Sequence, residues 1–394
     1  MKRILYVALS MLMMFSAISC QGPSAEPVTT TAGQTAVATT PATTQAPKEY
    51  NYQTLKVSEH LDDVFRTLGR TYVKEDRLYL DFSNTGIHFV ADCKDVVSVQ
   101  IFVNPARVVA ANYFSIYIDG ELSSTRLYVD KTLSGQSFVI ARGLEPGVHE
   151  FRLVNQTQFI WTQASLGEIT IQGEFCEKPA ERELFLEFYG DSISNGANVY
   201  MGETSVHTTD STKSYAWLTA EALNADMSGV GCSAIGLTCN NRNFIMKDIL
   251  HHCGAQYSSG ADKNGVLLME DIPLYDFARI PDAVIIALGT NDGGNAEKTV
   301  FKTELTNLVN HLREKYGKDV PIVYLTGYSS GAYNSVVPTL LNGLGGEDAN
   351  LYVCKLSYAS VAKADGGDGT HPNVATSEVM AAELTAFLKD LLNK

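Results

Sequence analysis

The chain is short of positive charge: 30 Lys and Arg stand against 44 Asp and Glu, a formal net charge of −14 over 394 residues. Nucleic acids and other polyanions are held by a basic footprint, so this deficit excludes them as partners and leaves a neutral or cationic substrate. No Cys-x-x-Cys pair occurs among the seven cysteines, which removes the usual zinc motifs. His251-His252 lacks a third partner in helical register, so no metal is expected there and both rings should lie on a solvated surface. The apolar run near the start, Ile4 to Ile18, is too short to span a bilayer comfortably. At this length two folded units with appendages are expected.

Lys2-Arg3, the apolar run and Ser19-Cys20 make a secretory signal over residues 1–20, with a positive start, a hydrophobic stretch and a small-residue cleavage site. Ala17-Ile18-Ser19-Cys20 resembles a bacterial lipobox, whose cysteine is lipidated and becomes the new N-terminus. An extracytoplasmic protein follows, touching a membrane only through a lipid on Cys20, or secreted outright if an ordinary signal peptidase cuts instead. Residues 21–48 are Thr, Ala, Pro, Gln and Gly with almost no large apolar side chain, which makes a disordered tether. Extended at about 3.1 Å per residue, it would reach a polymer tens of Å from the membrane. Cys232, Cys239 and Cys253 are close enough in sequence to bridge locally, while all six cysteines after Cys20 fit equally as small buried hydrophobes.

From about Tyr50 to Cys176 the texture is all-β. Phe114-Ser115-Ile116-Tyr117-Ile118 alternates and breaks at Asp119-Gly120, a hairpin signal. Val99, Ile101 and Val103 repeat the period, as do Ile169 and Ile171, and Phe151 and Leu153 follow a turn at Glu145-Pro146-Gly147. Short strands with no helical period between them predict a jelly-roll-like β-sandwich over 50–176. Tyr72, Tyr79, Tyr113, Tyr117, Tyr128 and Trp161 offer stacking faces for sugars, although tyrosine also simply favours strands.

After Glu177-Lys178-Pro179 strand and helix alternate. Leu184 to Tyr189, Asp282 to Leu288, Pro321 to Leu325 and Leu351 to Cys354 read as buried strands. An amphipathic helix is expected over Thr212 to Asn224, with Tyr215, Leu218 and Ala222 on one face. Phe301, Leu305, Leu308 and Leu312 mark a second, stopping at Gly317, and Met380, Leu384, Phe387, Leu388 and Leu391 a C-terminal one. The pattern predicts an α/β domain over 184–394, a parallel sheet sandwiched by helices.

Four blocks hold the chemistry. Gly190-Asp191-Ser192, Ser228-Gly229-Val230-Gly231 and Gly289-Thr290-Asn291-Asp292 each follow a strand-like segment, and Asp365 to Pro372 closes the series. Acyl transfer by serine needs a base, a group that orients the base, and donors facing the developing oxyanion. Asp368 and His371, three residues apart on a turn, can set the carboxylate against one imidazole nitrogen while the other faces Ser192. Asn291 offers a side-chain amide, and Ser192 and Gly231 offer backbone N–H groups. Asp365, six residues from His371, is the weaker orienter. Ser194 reads as a turn hydroxyl, and Asp191 and Asp292 as loop ties.

Gly-Asp-Ser, a lone glycine after the second strand, Gly-x-Asn-Asp and a terminal Asp-x-x-His, in that order, resemble the four blocks of the SGNH or GDSL hydrolase superfamily, over roughly Leu184 to Lys394. The resemblance implies a three-layer α/β/α fold, Ser192 as nucleophile, His371 as base, Asp368 as its orienter, and Ser192, Gly231 and Asn291 as oxyanion donors, with no metal or organic cofactor. The sandwich in front, with Asp119-Gly120 in a hairpin and Gly147-Val148-His149 before another strand, further resembles carbohydrate esterase family 2, bacterial deacetylases of acetylated xylan and similar glycans. This chain departs from that pattern in Ser194-Asn195, where many relatives have Thr-Cys, and in the long segment Cys239 to Tyr275. The expectation is an exported serine esterase acting on an acetylated polysaccharide or oligosaccharide. An esterase or acyltransferase on cell-envelope glycan or lipid, or a tethered carbohydrate-binding protein, are the alternatives, which a fold alone does not separate.

Overall fold

Apolar residues at alternate positions bend the first half of the chain around one core. The computed structural model describes residues 48–394 apart from 106–110, 124–125, 204, 239–242, 259–264, 293–297, 329–332, 334, 358–367 and 394. Cys20, the 21–47 stretch, Cys239 and Asp365 lie outside the described residues. Strands Thr162–Phe175, Gly86–Pro105, Gln136–Asn155 and Ala111–Ile118 lie side by side in that order, all antiparallel, within one continuous sheet. Ile87, Phe89, Ala91 and Cys93, then Val97, Val99, Ile101 and Val103, all join its core, so the two-residue period survives the register shifts around Asp95. Those bulges bend the strand and curl the sheet over its core.

The turn expected at Glu145-Pro146-Gly147 is instead one of these bulges. Gly147 pairs with Cys93 and Leu144 with Asp95, which leaves Glu145 and Pro146 opposite the single residue Lys94. A proline costs the ladder nothing where no N–H is called for, and the strand runs on. Asp119 and Gly120, at φ 53° and 82°, close the expected two-residue hairpin between Ile118 and Glu121. In strand Ala111–Ile118, Ser115 and Tyr117 are buried along with Phe114 and Ile116. The second face of that strand meets the α/β half, where Ser115 Oγ is 2.9 Å from Thr212 Oγ1 and the Tyr117 and Trp217 rings stack at 6.1 Å.

In the α/β half the strands are β1 (Leu184–Gly190), β2 (Ala225–Gly231), β3 (Ala283–Ala287), β4 (Ile322–Thr326) and β5 (Leu351–Lys355). They form a parallel sheet in the order β2-β1-β3-β4-β5. The helices are α1 (Tyr215–Ala222), α2 (Lys298–Tyr316), α3 (Val337–Gly343) and α4 (Val374–Leu392). Ala283, Ile285 and Ala287 of β3 pack with α1 and α4, whereas Val284 and Ile286 pack with α2 and α3. Helices on both faces account for the unbroken apolar run. Among the described residues no helix is long and apolar enough to cross a membrane.

Helix α1 is shorter than expected and not amphipathic. A 3-10 turn over Ser211–Lys213 precedes it, the Ser214 hydroxyl caps the Trp217 N–H, and Tyr215, Ala216, Trp217, Thr219 and Ala220 are all buried. The parallel sheet covers one side, α4 another and the antiparallel sheet a third, so little solvated face remains to carry polar residues. No disulfide joins Cys232 to Cys253, and Cys93, Cys176, Cys253 and Cys354 are free thiols.

The two halves also share buried polar contacts. Arg70 Nη2 meets Glu187 Oε1 at 2.7 Å with both side chains wholly excluded from water. Arg66 Nη1 donates to both carboxylate oxygens of Asp226 at 2.7 and 2.8 Å, and Arg152 forks onto Glu221 at 2.8 and 2.9 Å. Asp81 lies in this region with no ion pair among the described residues: burial pushes its carboxyl up to about 7, against hydrogen bonds from the Tyr72 hydroxyl at 2.8 Å and the Ala255 backbone and the more distant charge of Lys74. The folded state therefore holds this proton to higher pH than the unfolded chain does. Its contribution to stability is complete below about pH 4 and is lost as pH rises through 7. Asp81→Asn, which mimics the protonated form, is expected to flatten the loss of stability between pH 4 and 7 by up to about 4 kcal/mol. Urea melts across that range with the same slope in both proteins would show that Asp81 ionises without cost.

Candidate active site

Strand β1 ends at Gly190, level with Gly231 on β2 and Ala287 on β3, so the loops that follow all three leave one edge of the sheet. The chain passes from β1 to a neighbour on one side and then to β3 on the other. At such a reversal the loops part and an open sheet leaves a crevice beyond its carboxyl ends. Ser192 and Asn291 flank that crevice from β1 and β3. Gly231 permits the close approach of β2: a Cβ there would lie 1.8 Å from the Gly190 carbonyl oxygen.

Residues 191–199 turn back without forming a helix. Asp191 Oδ1 accepts the Ile193 N–H at 3.0 Å, Asn195 Nδ2 donates to the Asp191 carbonyl at 2.6 Å, and the Ala197 N–H donates to the Ser192 carbonyl at 2.9 Å. Ser192 is 6% exposed at the rim of this turn. Ser194 is a structural hydroxyl, 2.7 Å from the Tyr215 hydroxyl. Burial pushes the Asp191 carboxyl up to about 6, opposed by the Ile193 N–H, the Thr290 hydroxyl and the charge of His371. The His371 ring is thus within electrostatic reach of the residue that precedes Ser192.

Asp368 and His371 form a closed unit. Asp368 Oδ1 accepts the Thr370 and His371 N–H groups, each at 2.8 Å, while Oδ2 meets His371 Nδ1 at 2.6 Å and accepts Asn198 Nδ2 at 2.9 Å. Burial works against the charge, yet these hydrogen bonds outweigh it and hold the Asp368 carboxyl far below the usual carboxylate range. With Nδ1 committed to the carboxylate, Nε2 is the nitrogen left to act as a base. Asn198 belongs to the same loop as Ser192, so the Asp368–His371 unit is fastened to the turn that carries the serine. Ser192 Oγ and His371 make no hydrogen bond among the described residues.

Asn291 Nδ2 donates to the Ile235 carbonyl at 2.8 Å and lies 3.5 Å from Asp191 Oδ2, which places its amide between the loops after β1 and β2. Asp292 ties loops as expected, accepting the Leu237 and Thr238 N–H groups at 3.0 and 2.7 Å. Two residues of the antiparallel half also hold these loops. Ser83 Oγ bonds Asn195 Oδ1, and Gln158 Oε1 accepts the Ser233 N–H at 2.6 Å, just beyond Gly231. Sequence reading misses both, because polar residues between strands are ordinary loop composition. It misses Asn198 likewise; only asparagine's tolerance of positive φ, here 56°, hints at a turn. The histidine pair is half-buried instead of fully solvated. His251 lies edge-on to His311 at 4.4 Å, and His252 Nδ1 meets the Ile272 carbonyl at 3.1 Å.

The profile of the GDSL-like lipase/acylhydrolase family matches residues 186–384, from β1 into α4. The chain belongs to that family. As a GDSL-family member it is a carboxylic ester hydrolase. The cellulase/esterase CelE of Acetivibrio thermocellus is 30% identical over 302 residues, 71% of this chain and 34% of the relative, so the GDSL-family chain spans about a third of that relative's length. A family two carbohydrate esterase from Clostridium thermocellum in complex with cellohexaose superposes with a TM-score of 0.72 at 23% identity, over 84% of this chain and 99% of that one. A family two carbohydrate esterase from Cellvibrio japonicus gives 0.73 at 18%, over 87% and 98%. The acetyl xylan esterase Est2A of the rumen bacterium Butyrivibrio proteoclasticus gives 0.72 at 20%, over 87% and 99%. At these identities the likeness is one of fold.

Proposed function

We propose that this GDSL-family chain is an exported serine esterase that removes acetyl groups from an acetylated polysaccharide, xylan or a related plant glycan. The observation that carries the reading is the Asp368–His371 unit, fastened through Asn198 to the loop of Ser192. The relatedness to CelE supports the substrate class. Ser192 Oγ attacks the acetyl carbonyl while His371 Nε2 takes its proton, and Asp368 steadies the imidazolium that results. The Ser192 and Gly231 N–H groups face the oxyanion together with the Asn291 side-chain amide. As the tetrahedral intermediate collapses, Nε2 returns the proton to the sugar oxygen and the deacetylated glycan leaves. Water, deprotonated by the same nitrogen, then attacks the acyl-enzyme; acetate departs and Ser192 regains its hydrogen.

A hydrolysis screen separates this from the envelope alternatives. Washed cells and spent medium are assayed on acetylated xylan, acetylated peptidoglycan and long-chain esters, with and without a serine-directed inhibitor. Acetate release from xylan should exceed the other two rates by about tenfold or more, since discrimination by pocket contacts is of that order. The inhibitor should abolish it, and the activity should stay with the cells and move to the medium in Cys20→Ala. Faster turnover of peptidoglycan or long acyl chains would replace the glycan assignment. Indifference to the inhibitor would remove the acyl-enzyme.

A further inference from the structure

An aromatic strip runs from the Ser192 loop onto the antiparallel sheet. Tyr113 and Tyr128 face each other across neighbouring strands with ring centroids 5.2 Å apart. His207 closes on both: its Nδ1 is 2.9 Å from the Tyr113 hydroxyl, and its ring lies 6.3 Å from that of Tyr128 with the planes 28° apart. The Arg126 guanidinium bridges onward, its carbon 4.1 Å from the Tyr113 centroid and 4.9 Å from that of Tyr200. It is held there by Gln156 Oε1 and the Thr209 carbonyl, both at 2.7 Å. Tyr200 stands close behind Asn198, the residue that holds Asp368, so the strip starts within about 7 Å of chain from the catalytic unit.

Exposure marks this cluster out. Tyr128 and Tyr200 are 42% and 39% exposed; among the described residues Tyr52 is the one other aromatic so open, and no exposed aliphatic side chain belongs to the strip. Of the aromatics legible as stacking candidates in the sequence, Tyr72 and Tyr117 are buried. A protein partner would call for a broader apolar patch, and an anion would call for a cation not already spent. Flat rings edged by polar groups suit the C–H faces of a pyranose, and tyrosines lose little freedom on contact.

We propose that Tyr200, Tyr113, Tyr128 and His207 form an extended subsite for the sugar rings that flank the acetylated unit of a neutral polysaccharide. This rests on the glycan esterase reading above. The test uses the full chain carrying Ser192→Ala, which binds without turnover, titrated calorimetrically with xylohexaose and with cellohexaose. Adding Tyr128→Ala should raise Kd about tenfold for the better hexasaccharide, equivalent to about 1.4 kcal/mol. Tyr128→Phe should stay within about twofold, because stacking uses the ring and not the hydroxyl. Unchanged Kd in Tyr128→Ala, an equal loss in Tyr128→Phe, or no binding of either sugar by the parent would each overturn the subsite. Failure of the esterase reading looks different: the wild type would release no acetate from acetylated xylan while the Tyr128→Ala effect on binding persisted.

Discussion

Ser192→Ala is expected to lower acetate release from acetylated xylan by about four to six orders of magnitude, the usual cost of removing a serine nucleophile. The melting temperature should not move, because Ser192 Oγ makes no hydrogen bond among the described residues and the turn is held by Asp191, Asn195 and Ala197 instead. His371→Ala should cost about as much, since nucleophile and base act as one unit and their losses do not add. Asp368→Ala should cost less, about two to four orders of magnitude, because the base survives without its orienter. The double variant Asn198→Ala with Asp368→Ala should be no worse than Asp368→Ala alone, as Asn198 acts through that carboxylate. Initial rates on acetylated xylan, read beside thermal melts, decide the series. Ser192→Ala retaining more than about one per cent of wild-type turnover would remove the covalent mechanism.

Arg70→Ala is expected to destabilise the fold by about 3–5 kcal/mol, the cost of breaking a wholly buried ion pair. Glu187 lies in the middle of β1, surrounded by sheet and helix, and its carboxylate is met by Arg70 and by the Tyr189 and Tyr316 hydroxyls at 2.7, 2.9 and 2.7 Å. Removing the guanidinium leaves a carboxylate in the core with two neutral donors. It also deprives the Leu250 carbonyl of a donor at 2.6 Å and the Tyr275 ring of a cation 3.9 Å from its centroid. Arg70→Met combined with Glu187→Leu removes both charges and should recover most of the loss, since an apolar pair of similar volume commonly equals a buried salt bridge. Urea unfolding of the three proteins measures this. A single-variant cost below about 1 kcal/mol would mean that water reaches Glu187.

The sequence by itself determined most strand and helix periods, the order of the four family blocks and the Asp119-Gly120 hairpin. These are local properties: a residue's neighbours a few positions away decide whether a strand alternates, where a turn closes and whether Asp368 can reach His371. The tertiary structure decided what happens where the two halves meet. Glu187 looks like a lapse in an apolar strand until Arg70 arrives from 117 positions away. Helix α1 loses its solvated face, and strand Ala111–Ile118 its alternation, because each covers the other. Pro146 sits in a strand because the facing strand is one residue short there. Ser83 and Gln158 hold the loops after β1 and β2, and Tyr128 meets His207, through contacts that no local period records. Burial by a distant part of the chain is set by the sum of both surfaces, and a one-dimensional pattern carries only one of them.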